Sequence, residues 1–410
     1  MAGYLFRGGR FLDPNKTDLI DGMEVLVEGE RIKEVSRKIK SSDATVIDLK
    51  GLTIMPGMID CHVHVMLPEV EVRRIENYPP TMMAFKAAHL MQAMMSRGFT
   101  TLRDTGGCDF GIRDSVEAGL VAGPRLFIAG RTMTPTGGHG DARRRTDHKP
   151  FCLCCNGLSL LSAIVDGVPA VLHGVREEMR RGADFIKIMA SGGVASPYDP
   201  LESVQFTRDE VAAIVEEVTN WGSYVAAHAY GADAIYRAVD IGIRTIEHGN
   251  LLDEKTAKLM AKKGAFLVPT LVAYDAIKRR AREYGFTDDN MAKNERVYQA
   301  GLRSIEIAKK AGVEIAFGSD LLGQLQNDHT REFQIRAQVL KPYEIIRSAT
   351  LTAAKLLRRE KDLGELKPGA YADLLVVEGN PMLATEMWQD GGPAISVIMK
   401  GGAFYRNRLH

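Results

Sequence analysis

Between about Gly57 and about Glu360 the chain alternates short apolar runs with stretches of helical periodicity, and few folds satisfy that alternation. It predicts repeated βα units around a parallel sheet. The candidate strands run from Met58 to Val65, Thr100 to Thr105, Arg125 to Arg131, Asp184 to Ala190, Tyr224 to Tyr230, Thr245 to Gly249, Phe266 to Leu271 and Glu314 to Asp320. Their number is that of a (β/α)8 (TIM) barrel, so the fold class expected is α/β. Thr207 and Glu210 form a capping box ahead of Val211, Ile214, Val215 and Val218, while Gly264 and Gly312 each follow a lysine-bearing helix end. The stretch between Arg131 and Asp184 is the exception, long and rich in Gly, Arg and Cys, as expected of a functional loop at a barrel mouth.

Both ends of the chain read as short strands and turns. Residues 1–56 carry Glu24-Val25-Leu26-Val27, Arg31-Ile32-Lys33-Glu34-Val35 and Val46-Ile47-Asp48-Leu49, and residues 361–410 carry Ala372 to Val377 and Ser396 to Lys400. The expected organisation is a small β-sandwich built from 1–56 and 361–410, with the barrel at 57–360 between them. A length of 410 residues, 45% hydrophobic and 26% charged, suits such a protein. Lys and Arg total 53 against 52 Asp and Glu, so no global field attracts nucleic acid or an anionic membrane, and a small-molecule partner is favoured. No apolar run approaches the ~20 residues of a membrane span. Five cysteines are too few for a disulfide scaffold, and with an N-terminus broken by Arg7 and Arg10 this points to the cytoplasm. Large barrels often self-associate, so a homo-oligomer is expected.

In barrels of this kind the chemistry sits at the C-terminal ends of the strands. The first ends in His62-Val63-His64, whose spacing turns both imidazoles to one side, where they can share a metal ion. The fourth places Lys187 inside Phe185-Ile186-Lys187-Ile188-Met189, where a buried ammonium must be paired, neutral or chemically changed. Three readings are open: a lysine snorkelling at the rim, a Schiff-base lysine, or a lysine carboxylated by CO2 into a carbamate that bridges two metals. His228 ends the fifth strand, His248 the sixth and Asp320 the eighth. Each alone could be a satisfied core residue. Together with His62, His64 and Lys187 they are explained by one binuclear site, for which zinc suits the imidazole and carboxylate ligands.

On these residues the sequence resembles the amidohydrolase superfamily, with His-x-His on strand one, Lys on four, His on five and six, and Asp on eight. The segments Met55-Pro56-Gly57-Met58-Ile59-Asp60 and Leu366-Lys367-Pro368-Gly369-Ala370-Tyr371-Ala372-Asp373 resemble that family's junctions between sandwich and barrel. Thr136-Gly137-Gly138-His139-Gly140-Asp141, Lys187 to Val194 and His228-Ala229-Tyr230 resemble metal-dependent Xaa-Pro dipeptidases (prolidases) and ochratoxin-hydrolysing amidohydrolases. The resemblance implies two divalent ions, zinc by expectation. His62, His64 and Asp320 would hold one, His228 and His248 the other, and the CO2-derived carbamate on Lys187 would bridge them. It also implies hydrolysis of an amide bond to a C-terminal amino acid by a metal-bridging hydroxide, with Asp320 passing the proton to the leaving amine. Cyclic-amide hydrolysis of the imidazolonepropionase, hydantoinase or dihydroorotase kind is the alternative activity.

His139, in a glycine-rich loop after strand three, reads either as a surface histidine or as a hydrogen-bond donor to the oxyanion. Tyr230, two residues past His228, reads as a substrate contact or as a tyrosine packed at the rim. Among Arg143, Arg144 and Arg145 a solvated face is the ordinary reading, and Arg143 or Arg145 is the candidate anchor for a substrate carboxylate. Cys152, Cys154 and Cys155 lack the spacing of a zinc ribbon and read as structural or incidental thiols. A metal-free Schiff-base lyase and a noncatalytic metal-binding protein are the other classes, and the candidate acid/base groups Asp320 and His139 argue against the second.

Overall fold

The computed structural model describes residues 3–146, 160–196, 198–391 and 394–409. Cys152, Cys154 and Cys155 lie outside them. The chain has an α/β fold with parallel sheets at its centre and antiparallel strands at its ends. The central strands form two parallel arcs. One runs Arg125–Ile128, Phe99–Asp104, Met58–Val63. The other runs Ser162–Ile164, Thr132–Thr134, Ile186–Met189, Val225–Gly231, Thr245–Leu251, Phe266–Val268, Glu314–Ile315. Backbone bonds link the arcs at both ends. Cys61 N donates to Phe317 O at 2.8 Å and Asp320 N to His62 O at 2.9 Å, while on the far side Asp184 N donates to Ile128 O at 2.8 Å.

Side chains from both arcs meet in one apolar cluster: Ile59, Cys61, Phe127, Phe185, Tyr224, Ala226, Phe266, Val268 and Ala316. This dry layer lies among the strands, so the polar residues that end them are held over a base that excludes water. Helices cover the outside where the periodicity placed them. Thr207 accepts from Glu210 N and Glu210 reaches back to the Thr207 backbone, completing the capping box of the helix Arg208–Asn220. Gly264 and Gly312 adopt left-handed φ of 67° and 80° as C-terminal caps.

Two expected strands end differently. The run Arg125 to Arg131 breaks after Ile128, because Gly130 turns at φ 68° and Arg131 is drawn outward to Glu178, with Nε to Oε1 at 2.7 Å and N to Oε2 at 3.0 Å. Thr132–Thr134 then joins the other arc. The eighth strand pairs regularly only at Glu314–Ile315, and Asp320 follows it at φ 52°, a left-handed conformation uncommon outside glycine. The seventh is likewise short, Phe266–Val268, and Thr270 and Leu271 lie beyond it.

The terminal strands build two further sheets, one of four strands from residues 4–48 and one of six shared by both ends of the chain. In the latter Thr53–Pro56 runs antiparallel to Leu374–Val377, with Pro56 opposite Leu374. Phe6, Val25 and Ile47 of the first pack with Ile54, Val376 and Met399 of the second. Gly57 then leads into the first central strand, where a Cβ would fall on the Thr100 side chain, so only glycine fits.

Candidate active site

Strand ends bring His62, His64, Lys187, His228, His248 and Asp320 to the wall of one cavity of about 320 Å³. The Asp320 carboxylate lies among three imidazoles, with Oδ1 at 3.4 Å from His62 Nε2 and 3.2 Å from His64 Nε2, and Oδ2 at 3.8 Å from His248 Nδ1. Ligand atoms of His62, His248 and Asp320 all fall within 4.8 Å of one another. The His228 ring centre is 4.6 Å from that of His248. Burial alone would push the Asp320 carboxyl up, but His62, His64 and His248 hold it well below the usual carboxylate range, so it is ionised. Burial first, then the neighbouring groups His139, His248 and Lys187, push His228 well down, and burial likewise lowers His248. Both rings are therefore neutral, the state in which an imidazole offers an electron pair to a cation.

The hydrogen bonds of the four histidines test whether they fit a metal. Each has one ring nitrogen against a protein oxygen, a pure acceptor for His62, His64 and His228 and a hydroxyl able to accept or donate for His248. His62 Nδ1 meets Glu247 Oε2 at 2.8 Å, His64 Nδ1 meets Gly106 O at 2.9 Å, His228 Nε2 meets Gly192 O at 3.1 Å and His248 Nδ1 meets Thr270 Oγ1 at 2.8 Å. An acceptor at one nitrogen places the proton there and leaves the other as an electron-pair donor, the arrangement that orients histidine ligands. The residues fit a divalent cation.

Behind this ring lies a buried network that sequence reasoning missed. Arg103 grips Glu247 with Nη2 at 2.7 Å from both carboxylate oxygens, and Thr245 Oγ1 adds a third bond at 2.7 Å. Asp104 accepts from Val65 N, Gly106 N and Cys108 N, which pins the turn whose Gly106 carbonyl holds His64. A charged residue on a central strand beside an apolar one, Arg103 after Leu102 and Glu247 after Ile246, was the available signal, since neither is stable buried without a partner. His248 follows Glu247 at φ 71°, which interrupts strand alternation. Glu247→Gln should weaken zinc affinity by about 10- to 100-fold. Zinc retention against a chelator buffer measures it, with thermal unfolding as the control, and unchanged retention would remove Glu247 from this role.

His139 also lines the cavity. Its ring stacks on His228 at 4.3 Å, its Nδ1 lies 3.2 Å from Asp199 Oδ2, and its backbone N donates to Gln205 Oε1 at 3.0 Å. A Cβ on Gly193 would collide with the His139 ring, so glycine there lets the imidazole lie against the backbone. Tyr230 is buried in the same wall and its hydroxyl meets that of Tyr274 at 2.9 Å. Burial raises both phenols well above the ordinary range, and they stay protonated.

Arg143 and Arg145 are not brought to the cavity wall. Arg143 chelates Asp141, Nε to Oδ1 at 2.7 Å and Nη2 to Oδ2 at 2.6 Å, and Arg145 lies 5.1 Å above the Tyr198 ring. The arginine that does line the cavity among the described residues is Arg73, in the 3-10 turn Val72–Asn77, and among those residues no carboxylate pairs with it. One arginine among exposed charges carries no distinguishing sequence signal.

Parallel strands that converge imidazoles, a lysine and an ionised carboxylate on one buried point, beside a cavity sized for a small molecule, define an enzyme of the hydrolase class. The chain belongs to the amidohydrolase family, whose profile matches residues 53–403. A crystal structure of an amidohydrolase is 49% identical, with a TM-score of 0.97 and 100% of both chains covered. A prolidase crystallised with N-methylphosphonate-L-proline is 44% identical, with a TM-score of 0.96 over 99% of this chain and 100% of that one. Ochratoxinase from Aspergillus niger is 29% identical over 368 residues, 86% of this chain and 75% of the relative. The protein is a hydrolase acting on amide or peptide bonds. Among the described residues no helix is long and apolar enough to cross a membrane.

Proposed function

We propose that the protein is a binuclear metal-dependent hydrolase that cleaves Xaa-Pro dipeptides or N-acyl amino acids, ochratoxin-like amides included. The observation that carries this reading is the set of four histidines, each with one ring nitrogen held by a protein oxygen, gathered with Asp320 and Lys187 on one cavity wall. His62, His64 and Asp320 would hold one ion and His228 and His248 the second, zinc being suited to both, and a carboxylated Lys187 would serve as a shared ligand. Such ions, when bound, bring the pKa of water near 7 and withdraw charge from the scissile carbonyl. Asp320 takes the proton of the attacking water and hands it to the leaving nitrogen. His139, held at Nδ1 by Asp199, presents Nε2 to the oxyanion.

The same reading covers the architecture. The two arcs form one closed (β/α)8 barrel, supported by the backbone bonds across their ends and the apolar cluster they share. Residues 1–56 and 361–410 form a β-sandwich beside the barrel at 57–360, supported by their common core.

Two donors in the wall suit a substrate carboxylate, the Tyr230 hydroxyl and the Arg73 guanidinium. The test is a screen of zinc-reconstituted enzyme against dipeptides, N-acyl amino acids and cyclic amides, each acid paired with its C-terminal amide. Amidation of a good dipeptide is expected to cost about 2 to 5 kcal/mol in kcat/KM. Equal turnover of acid and amide, or turnover of cyclic amides alone, would replace this substrate class with the cyclic-amide one.

A further inference from the structure

Three buried hydroxyls and one imidazole form a continuous chain beside the site. His248 Nδ1 lies 2.8 Å from Thr270 Oγ1, Thr270 Oγ1 lies 3.3 Å from the Tyr274 hydroxyl, and that hydroxyl lies 2.9 Å from the Tyr230 hydroxyl. All four residues are buried, at 3% exposure or less. Each hydroxyl has a single proton to give. The direction in which these protons point is therefore shared along the chain, and one end decides it.

We propose that Thr270 and Tyr274 are positioning residues that transmit the tautomer of His248 to Tyr230, so that a cation at His248 makes the Tyr230 hydroxyl a donor into the cavity. A neutral His248 that gives its Nε2 electron pair to a cation carries its proton on Nδ1. That proton goes to Thr270 Oγ1, the Thr270 hydroxyl donates to Tyr274, and the Tyr274 hydroxyl donates to Tyr230. The proton of Tyr230 then has the cavity as its direction, where an anion can accept it. When no cation is bound, the His248 proton is free to sit on Nε2, and the whole chain can reverse. Tyr230 then donates to Tyr274 and shows the cavity a lone pair, which repels a carboxylate.

The inference rests on Tyr230 as a carboxylate contact and adds to that reading a coupling between two sites. By reciprocity, whatever the metal adds to carboxylate binding, the carboxylate must add to metal binding. A hydrogen bond to a charged group is worth about ten- to a hundredfold in binding.

The test is calorimetric and needs no turnover. L-proline and L-prolinamide are titrated into zinc-loaded and metal-stripped enzyme, and the ratio of their dissociation constants is compared in wild type, Tyr230→Phe, Tyr274→Phe and Thr270→Val. In wild type, zinc should raise the preference for the acid by about tenfold or more. In Tyr274→Phe and Thr270→Val that zinc-dependent gain should shrink to within about threefold of unity, as expected when one charged hydrogen bond loses its orientation. Zinc stoichiometry and melting temperature of Tyr274→Phe, an isosteric change, should match wild type, which separates relay from damage. Should Tyr230→Phe leave the preference for the acid intact, the carboxylate reading of Tyr230 is wrong. Should Tyr230→Phe lose it while both relay variants keep the zinc-dependent gain, Tyr230 is the contact and the relay is overturned.

Discussion

Lys187→Ala is expected to reduce kcat/KM by about 10³-fold or more, because the change removes several kcal/mol of charge stabilisation at ~1.4 kcal/mol per tenfold. Lys187 is 1% exposed on the strand Ile186–Met189, and burial draws its ammonium down to about 8 against the opposing pull of Glu247 and Asp320. An appreciable fraction of the amine is then free near neutral pH. In the proposed carboxylation Nζ would attack CO2, the N–C bond forming as a carbonyl π pair moves to oxygen and one proton leaves Nζ for solvent. The product is a carboxylate at the end of a long side chain, the group needed between two cations. Acetate or propionate should partly restore the alanine variant, since a free carboxylate can occupy the space left by the side chain. A Schiff-base role predicts instead that carboxylates do nothing and that borohydride traps a substrate imine. ¹³C-bicarbonate labelling of zinc-loaded wild type should give a carbamate resonance that Lys187→Ala lacks, and its absence in wild type would refute the bridge.

The residues whose type is costly at their position are legible in the sequence. Lys187 sits in an apolar run, and His62, His64, His228, His248 and Asp320 all follow apolar strands, so their common convergence could be read from strand order alone. The structure brings all six, with His139 and Tyr230, to one cavity. The residues that orient them were not legible for a different reason. Glu247 stands next to His248, but its contact is with His62, 185 positions away. Tyr274 lies on the helix Leu271–Arg280 and Asp199 in an irregular stretch, so neither strand position nor spacing singles them out.

Arg143 and Arg145 lie away from the cavity wall. Arg143 has a carboxylate two residues away, and a planar guanidinium closes on Asp141 at both oxygens before any substrate arrives. Strand ends were also overextended in the sequence, at Arg131 and at Asp320, in both cases because polar groups draw the backbone out of the ladder. Those departures place chemistry. An Asp320 held in regular strand geometry would follow strict alternation, whereas φ 52° turns its carboxylate toward His62, His64 and His248 together.

Asp320→Asn should lower kcat by about 10²- to 10⁴-fold, the usual worth of general acid/base assistance, while KM changes by less than about tenfold. Asparagine keeps the shape and one ligating oxygen, so the substrate still finds the cavity and its carboxylate contacts. It has no site for the proton released when water attacks. Asp320 is ionised because three imidazoles outweigh its burial, and this makes it a proton acceptor from the start of the cycle. The same neighbours make it a weak base, so its advantage is position rather than basicity: it lies within 3.4 Å of His62 Nε2 and His64 Nε2 on the cavity wall. Proton delivery to the leaving nitrogen then predicts that substrates with a better leaving group lose less. An O-acyl 2-hydroxy acid, the ester analogue that keeps the free carboxylate, should be impaired far less by Asp320→Asn than the matching N-acyl amino acid, because an alkoxide departs with less protonation than an amine. Equal losses on ester and amide would place the damage in metal retention and take the proton-transfer role from Asp320.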